Sequence, residues 1–159
     1  MAERVIYGLQ KLELAAVAGD GTAMPAVMTE AFRTYRDSVT ITEEDADIAE
    51  EYSDQSDDPV IALSTKGAKN VKGSTFDYSN ETLQKLKGGT VVNGQWVEPA
   101  SAPVIYQAMR LTTSDGTPIE CPKVQVFANL NLELKKKNIA QLQFTFKPLA
   151  PFRFGTKTP

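Results

Sequence analysis

The sequence predicts a mainly β fold: a small β-sandwich or partly closed β-barrel, with one short α-helix covering an end or an edge. Three observations carry that expectation. From Val124 to Leu134 every even position is apolar (Val124, Val126, Ala128, Leu130, Leu132, Leu134), and the odd positions are Gln125, Phe127, Asn129, Asn131 and Glu133. A period of two over this length is a strand with one face on a core. After Lys135-Lys136-Lys137-Asn138 the alternation resumes, with Ala140, Leu142, Phe144 and Phe146 pointing one way and Gln141, Gln143, Thr145 and Lys147 the other. The two runs with their basic connector read as an antiparallel hairpin, which Pro148 ends by removing a backbone donor. Third, Asn93-Gly94 stands between the short apolar runs 90–92 and 95–97, the most specific short hairpin signal available.

The other elements follow in order. Residues 4–14 begin as a strand, but the apolar phase shifts near Gln10, where a bulge is expected. Ala18-Gly19-Asp20-Gly21-Thr22 is a small glycine loop. In 22–33, Met28 and Phe32 sit at helical spacing, yet a strand is the preferred reading. Segments 39–42 and 71–78 alternate as strands, less cleanly. Ser79 is a good N-cap, Glu81 lies in the first turn, and Lys85 and Lys87 lie in the last, which predicts a helix over about 80–87. Leu83 and Leu86 share one side and Gly88-Gly89 supplies the stop. Two turns are marginal alone in water, so this helix must pack on a sheet. Residues 99–103 form a short connector. Val104–Thr113 is β-rich on both faces and leads into Ser114-Asp115-Gly116, a tight turn.

The bulk properties bound the function. With 159 residues the chain is expected to be one domain, 1–159, long enough to bury roughly 70% of its unfolded surface without a staple. No apolar run approaches the ~20 residues that span a bilayer, so no membrane partner is expected. The N-terminus lacks the layout of a secretory signal, which predicts a chain made and kept in a cytoplasm. There are no histidines and one cysteine, Cys121. That removes the commonest general base and metal ligand, and any internal disulfide or cysteine-based zinc site. Without a histidine to activate it, Cys121 reads as a small buried apolar residue.

Charge is unevenly placed. Between Glu43 and Asp58 lie nine acidic residues and no Lys or Arg; after Glu133 lie six basic residues and no acidic ones. The acidic segment 43–58 is expected to be a projecting charged hairpin or a loop disordered in the free chain, because it cannot bury itself unpaired. Such asymmetry reports on partners or on a solvated face.

Several apparent sites fail on chemistry. Gly19-Asp20-Gly21 lacks the lysine and spacing of a phosphate loop. Asp54, Asp57 and Asp58 lack the glycine and spacing of a calcium loop. Glu43-Glu44, on a solvated loop, has nothing to separate the two pKa values as an acid–base pair requires. Lys135–Lys137 has no interleaved aromatics for nucleic acid. No catalytic, metal or cofactor site is therefore expected, and the chain is read as a non-enzyme. Trp96 beside Tyr106 keeps open a sugar-stacking platform, that is, a monomeric carbohydrate-binding or adhesin-like β-sandwich, although a lone strand Trp is more often core or interface.

The layout from Asp37 to Gly89 resembles the tail tube (major tail) proteins of phages. The residues that carry it are Asp37-Ser38-Val39-Thr40-Ile41-Thr42-Glu43-Glu44-Asp45, an acidic loop closing at Asp57-Asp58-Pro59, then Lys66-Gly67-Ala68, Phe76-Asp77-Tyr78-Ser79, and a short helix ending Leu86-Lys87-Gly88-Gly89. Asn138 to Leu149 resembles the last strand of the same proteins. The match covers roughly two thirds of the chain and is one of order and texture, without a fingerprint motif. It implies a structural virion protein, made in the host cytoplasm and sited in the tail. Its subunits would join into a hexameric ring, and the rings would stack into a hollow tube through which DNA passes without specific binding. Partners would be the chain itself and other tail proteins. Tubes of type VI secretion and tail-terminator rings are implied alternatives.

From the residues themselves, an acidic projection and a basic C-terminal stretch make the chain complementary head to tail, and such a contact generates open polymers. The candidate interface residues are Glu43, Glu44, Asp45, Asp54, Asp57 and Asp58 on the acidic side. On the basic side they are Lys135, Lys136, Lys137, Arg153 and Lys157, joined by Phe127 on the polar face of the longest strand.

Overall fold

In the computed structural model, which describes residues 3–156, the chain forms twelve strands and one helix. In chain order these are β1 (Lys11–Ala15), β2 (Thr29–Glu30), β3 (Thr40–Glu43), β4 (Asp47–Tyr52), β5 (Pro59–Thr65), β6 (Lys69–Thr75), α1 (Asn80–Lys87), β7 (Thr90–Val92), β8 (Gln95–Val97), β9 (Ile105–Thr112), β10 (Pro118–Asn131), β11 (Gln141–Pro148) and β12 (Arg153–Phe154). The fold is mainly β, as expected, with the helix at the predicted residues.

Eight strands form the main sheet. Its order is β2-β1-β9-β10-β11-β6-β3, and β12 pairs with the start of β10. All these pairings are antiparallel. The segment after β2 links the two ends of this order. Ala31 N–H donates to the Leu12 carbonyl (3.0 Å) and Tyr35 N–H to the Ser74 carbonyl (2.7 Å), while Thr34 forms a single bridge to Thr75. The sheet thus curls over its own core, with 31–35 as a seam, and stops short of a closed barrel.

The core fills the inside of the curl. Leu12 and Leu14 from β1, Val71 from β6, Met109 and Leu111 from β9, Val124 and Val126 from β10, and Leu142, Phe144 and Phe146 from β11 are all buried. Phe144 stacks on Phe146 at 4.9 Å and meets Phe32 of the seam edge-on at 5.3 Å. Gly73 lies directly across from Phe144, and a Cβ there would come within 2.7 Å of the ring. The glycine makes room for the aromatic.

Helix α1 has the predicted anatomy. The Ser79 hydroxyl accepts from Thr82 N–H, Gly88 N–H donates to the Gln84 carbonyl, and Leu83 and Leu86 are buried. The Asp77 carboxylate accepts from Thr82 Oγ1 (2.7 Å), Ser79 N–H (3.0 Å) and Ser79 Oγ (3.3 Å). Burial acts against ionisation of Asp77, but these hydrogen bonds outweigh it and hold the pKa below the ordinary carboxylate value. Asn93 and Gly94 both take positive φ, 50° and 77°, as the two-residue turn between β7 and β8 requires.

Several expectations are corrected. Of 4–14 only Lys11–Ala15 is strand; the chain bends at Gly8 (φ 67°), and Gln10 N–H donates to Thr112 O (2.7 Å) without a bulge. The bulge sits instead in β10, between Cys121 and Val124, where Pro122 has no N–H to give. Of 22–33 only Thr29 and Glu30 are strand; Phe32 is buried by the tertiary seam without a regular element around it. The apolar face of Val124–Leu134 does not stay on the core. It is buried at Val126 and 42% exposed at Leu130; the strand itself ends at Asn131, three residues short of the expected end, so Leu132 (50% exposed) and Leu134 (88%) lie in the connection beyond it.

Candidate assembly surfaces

The acidic segment folds into the far part of a long arm. β4 and β5 pair antiparallel, from Asp47 opposite Thr65 to Glu51 opposite Ile61. The same register runs through β3 and β6, from Thr40 opposite Lys72 to Glu43 opposite Lys69. Between them Glu44 N–H donates to the Ala68 carbonyl (2.8 Å). A separate two-stranded ladder with the same pairing offset therefore projects from the edge of the sheet. At its root Gly67 is essential to the geometry, since a Cβ there would fall 1.9 Å from the Glu44 carbonyl oxygen. The hairpin spans 47–65, shifted from the expected 43–58: Glu43 belongs to β3, and the returning strand lies mostly beyond the acidic residues.

Every residue of β4 and β5 is exposed. Directly opposed residues share a face of a ladder. One face of the arm thus carries Ala49, Ile61 and Leu63 with Asp47 and Glu51, and the other carries Ile48, Val60 and Ala62 with Glu50. Both faces combine aliphatic side chains with carboxylates. Ile48, Val60, Ile61 and Leu63 are each at least half exposed. Tyr52 Oη donates to Glu50 Oε2, and Asp58 N–H donates to Ser56 Oγ (3.1 Å) in the turn. Asp54, Asp57 and Asp58 crown the arm's end, and Glu44 and Asp45 flank its root. None of the carboxylates of 43–58 forms an ion pair with a described residue.

The basic residues are placed less uniformly. Lys135, Lys136 and Lys137 lie in the exposed connection 132–140 between β10 and β11, with the turn at Lys136-Lys137, and Lys135 pairs with Glu133 at 3.5 Å. Arg153 is in β12, opposite Glu120, and donates to the Thr22 carbonyl, so its fork is already engaged within the chain. Lys157 lies outside the described residues. Phe127 is 46% exposed on the outer face of β10, opposite Thr145.

The structure does not bring the acidic and basic candidates together within one chain. β6 runs antiparallel between β3 and β11. Its first residues adjoin Ile41 and Phe146, and its last adjoin Gln143 and Leu142. The arm leaves at the first end and the β10–β11 turn at the last. The two charged hairpin ends stand at opposite ends of the body.

Trp96 is half-buried. It packs against the core, and its indole N–H donates to the Gly88 carbonyl at 2.8 Å. Tyr106 instead carries Lys123 Nζ over its ring at 4.6 Å. Cys121 is buried, and burial pushes its thiol pKa up. Asp20 accepts from Thr22 N–H and Oγ1 within the glycine turn. A cavity of about 750 Å³ is an open cleft at the arm end, lined by Leu9, Val39, Leu111 and Ile119 together with Arg36 and Asp37. Among the described residues no helix is long and apolar enough to cross a membrane.

The sequence reading missed the apolar half of the arm. The run Val60-Ile61-Ala62-Leu63 was the available signal: four residues of strand character immediately after the acidic turn. It missed equally that Leu130, Leu132 and Leu134 outrun the core, which depends on where the opposite layer stops. No protein-family model matches the chain, and no curated protein matches it in sequence.

Proposed function

We propose that this chain is a structural, non-enzymatic protein that assembles with copies of itself into rings, and that the rings stack into a hollow phage-tail-type tube for DNA passage. The observation that carries the reading is the arm. An isolated two-stranded ladder is at best marginally stable in water, and this one exposes aliphatic side chains on both faces. Contiguous exposed apolar surface rimmed by charge marks a protein-interaction site. The fold of the body supports the reading as well. It is a curled sheet whose open cleft is lined mainly by apolar groups and, among the described residues, offers Arg36 and Asp37 as its charged groups, which suits a scaffold better than a reaction centre.

The charge pattern suits a conduit. Acidic and neutral surfaces let a polyphosphate slide, whereas a lysine-lined bore would grip it. The test is direct. Light scattering over a wide concentration range is expected to show growth into rings or filaments, and negative-stain images of the concentrated protein are expected to show annuli and hollow rods. A chain that stays strictly monomeric at high concentration, with no growth on standing, overturns the reading.

A further inference from the structure

At each end of the body a core-facing apolar row runs out beyond the core. At one end the pairing offset that sets Ile41 opposite Val71 is kept across the irregular 44–46 and 66–68 and sets Ala49 opposite Leu63, and Glu51 opposite Ile61, on the arm. At the other, the row of Val124 and Val126 continues to Leu130 near the end of β10, and Leu132 and Leu134 are exposed in the connection that follows. Each row ends in charge of one sign. The arm carries the carboxylates Glu51, Asp54, Asp57 and Asp58, and the β10–β11 turn carries Lys136 and Lys137, which have no ion pair with a described residue.

We infer that the arm of one copy seats on the β10–β11 tip of the next. The Ile61–Leu63 face covers Leu130, Leu132 and Leu134, and the carboxylates of the arm's end reach Lys136 and Lys137. The inference rests on the self-assembly reading and deepens it by naming the two surfaces that meet. Three features single out a second copy as the occupant. The surfaces are alike in apolar character and opposite in charge, so each supplies what the other lacks. They stand at opposite ends of the body and the arm points away from its own tip, so one chain does not satisfy both. A contact between two different patches is heterologous, which propagates along an axis where a two-fold contact would close. Burial of the aliphatic rows supplies the attraction, and the charges fix polarity, since arm against arm or tip against tip opposes like charges.

The experiment uses the full chain with paired cysteines, Ile61→Cys on the arm and Leu132→Cys on the tip, treated with a flexible bis-maleimide. Cys121 is buried and stays out of reach of the reagent. The double variant is expected to give a covalent ladder of dimers, trimers and longer chains. Each single variant alone is expected to stay uncrosslinked, and an equal mixture of the two to stop at dimers. Crosslinking within either single variant shows a like-with-like contact and overturns the inference. So does the absence of a ladder where the parent protein visibly assembles, a result that leaves the tube reading standing. A ladder from a parent that never forms rings or rods keeps the contact and defeats the tube. No ladder and no assembly at the highest attainable concentration defeats both.

Discussion

The body and the arm share one pairing offset across a short irregular root, yet they obey different rules. In the body, β6 is flanked by β3 and β11 and presents Val71 to a closed core. Beyond Gly67 the same register continues, but neither face of the ladder is covered. Backbone pairing is the same in both regions, so what separates them is burial. At about 25 cal/mol per Å² of apolar surface removed from water, the body gains what offsets its ordering entropy and the arm does not. Regular strand structure is thus held in place by its own core in the body, whereas in the arm the proposed assembly assigns that part to a surface on another copy. The β10–β11 hairpin shows the same division along a single strand, from Val126 to Leu130.

The widest difference is expected in stability. Phe144→Ala empties the site where three aromatic rings meet and is expected to cost about 3–5 kcal/mol, read as a lower denaturation midpoint for the whole fold. The pair Ile61→Ser and Leu63→Ser removes comparable aliphatic bulk from the arm. It is expected to change the monomer by only about 0.5 kcal/mol while abolishing assembly. Hydrogen exchange sharpens the contrast: arm amides are expected to exchange quickly in the dilute monomer and slowly in the polymer, and body amides slowly in both. Equal, strong protection of the arm in both states breaks the comparison.

A smaller effect is expected at the helix that closes the body. Ser79→Ala removes the N-cap acceptor of Thr82 N–H and is expected to lower stability by about 1 kcal/mol. The neighbouring Asp77 adds a pH dependence. Its folded pKa is depressed, so its contribution is complete above the ordinary carboxylate value and is lost as pH falls through the folded pKa. Thermal midpoints measured against pH are expected to fall on acidification, and Asp77→Asn is expected to flatten that part of the slope. An unchanged acid limb in Asp77→Asn removes this carboxylate from the account.

The smallest effect on folding, and a large one on assembly, is expected from charge. Reversing Asp57 and Asp58 to Lys changes exposed groups worth about 0–1 kcal/mol per pair, so the melting curve of the monomer is expected to hold. Assembly is expected to fail, as it is when Lys135, Lys136 and Lys137 are reversed to Glu, and mixing the two variants is expected to restore it in part. Raising salt from ~0.05 to ~1 M shortens the screening length to about 3 Å and is expected to weaken growth. Assembly that strengthens with salt assigns the contact to the aliphatic rows alone.

By itself the sequence determined the local elements whose signals are short-range. Ser79, Glu81, Lys85 and Gly88 mark the helix because capping and dipole interactions act within one turn. Asn93-Gly94 marks its hairpin because only particular residues adopt two successive positive φ angles. The alternation of 124–134 and 140–147 marks two paired strands, because a period of two needs no knowledge of what lies opposite. The acidic segment declared that it could not be core, since nine carboxylates between Glu43 and Asp58 have no cation among them. Only the tertiary structure decided where the core ends. Leu142 and Leu130 are cross-strand partners, both apolar and both in alternating runs, yet one is fully buried and the other 42% exposed. Their sequence patterns are the same; burial depends on the layer that stands over them. The bulge at Cys121–Val124, the Phe32 seam and the placement of acidic and basic hairpins at opposite ends are likewise consequences of strand order. They come from residues far apart in the chain, and no window of local sequence contains them.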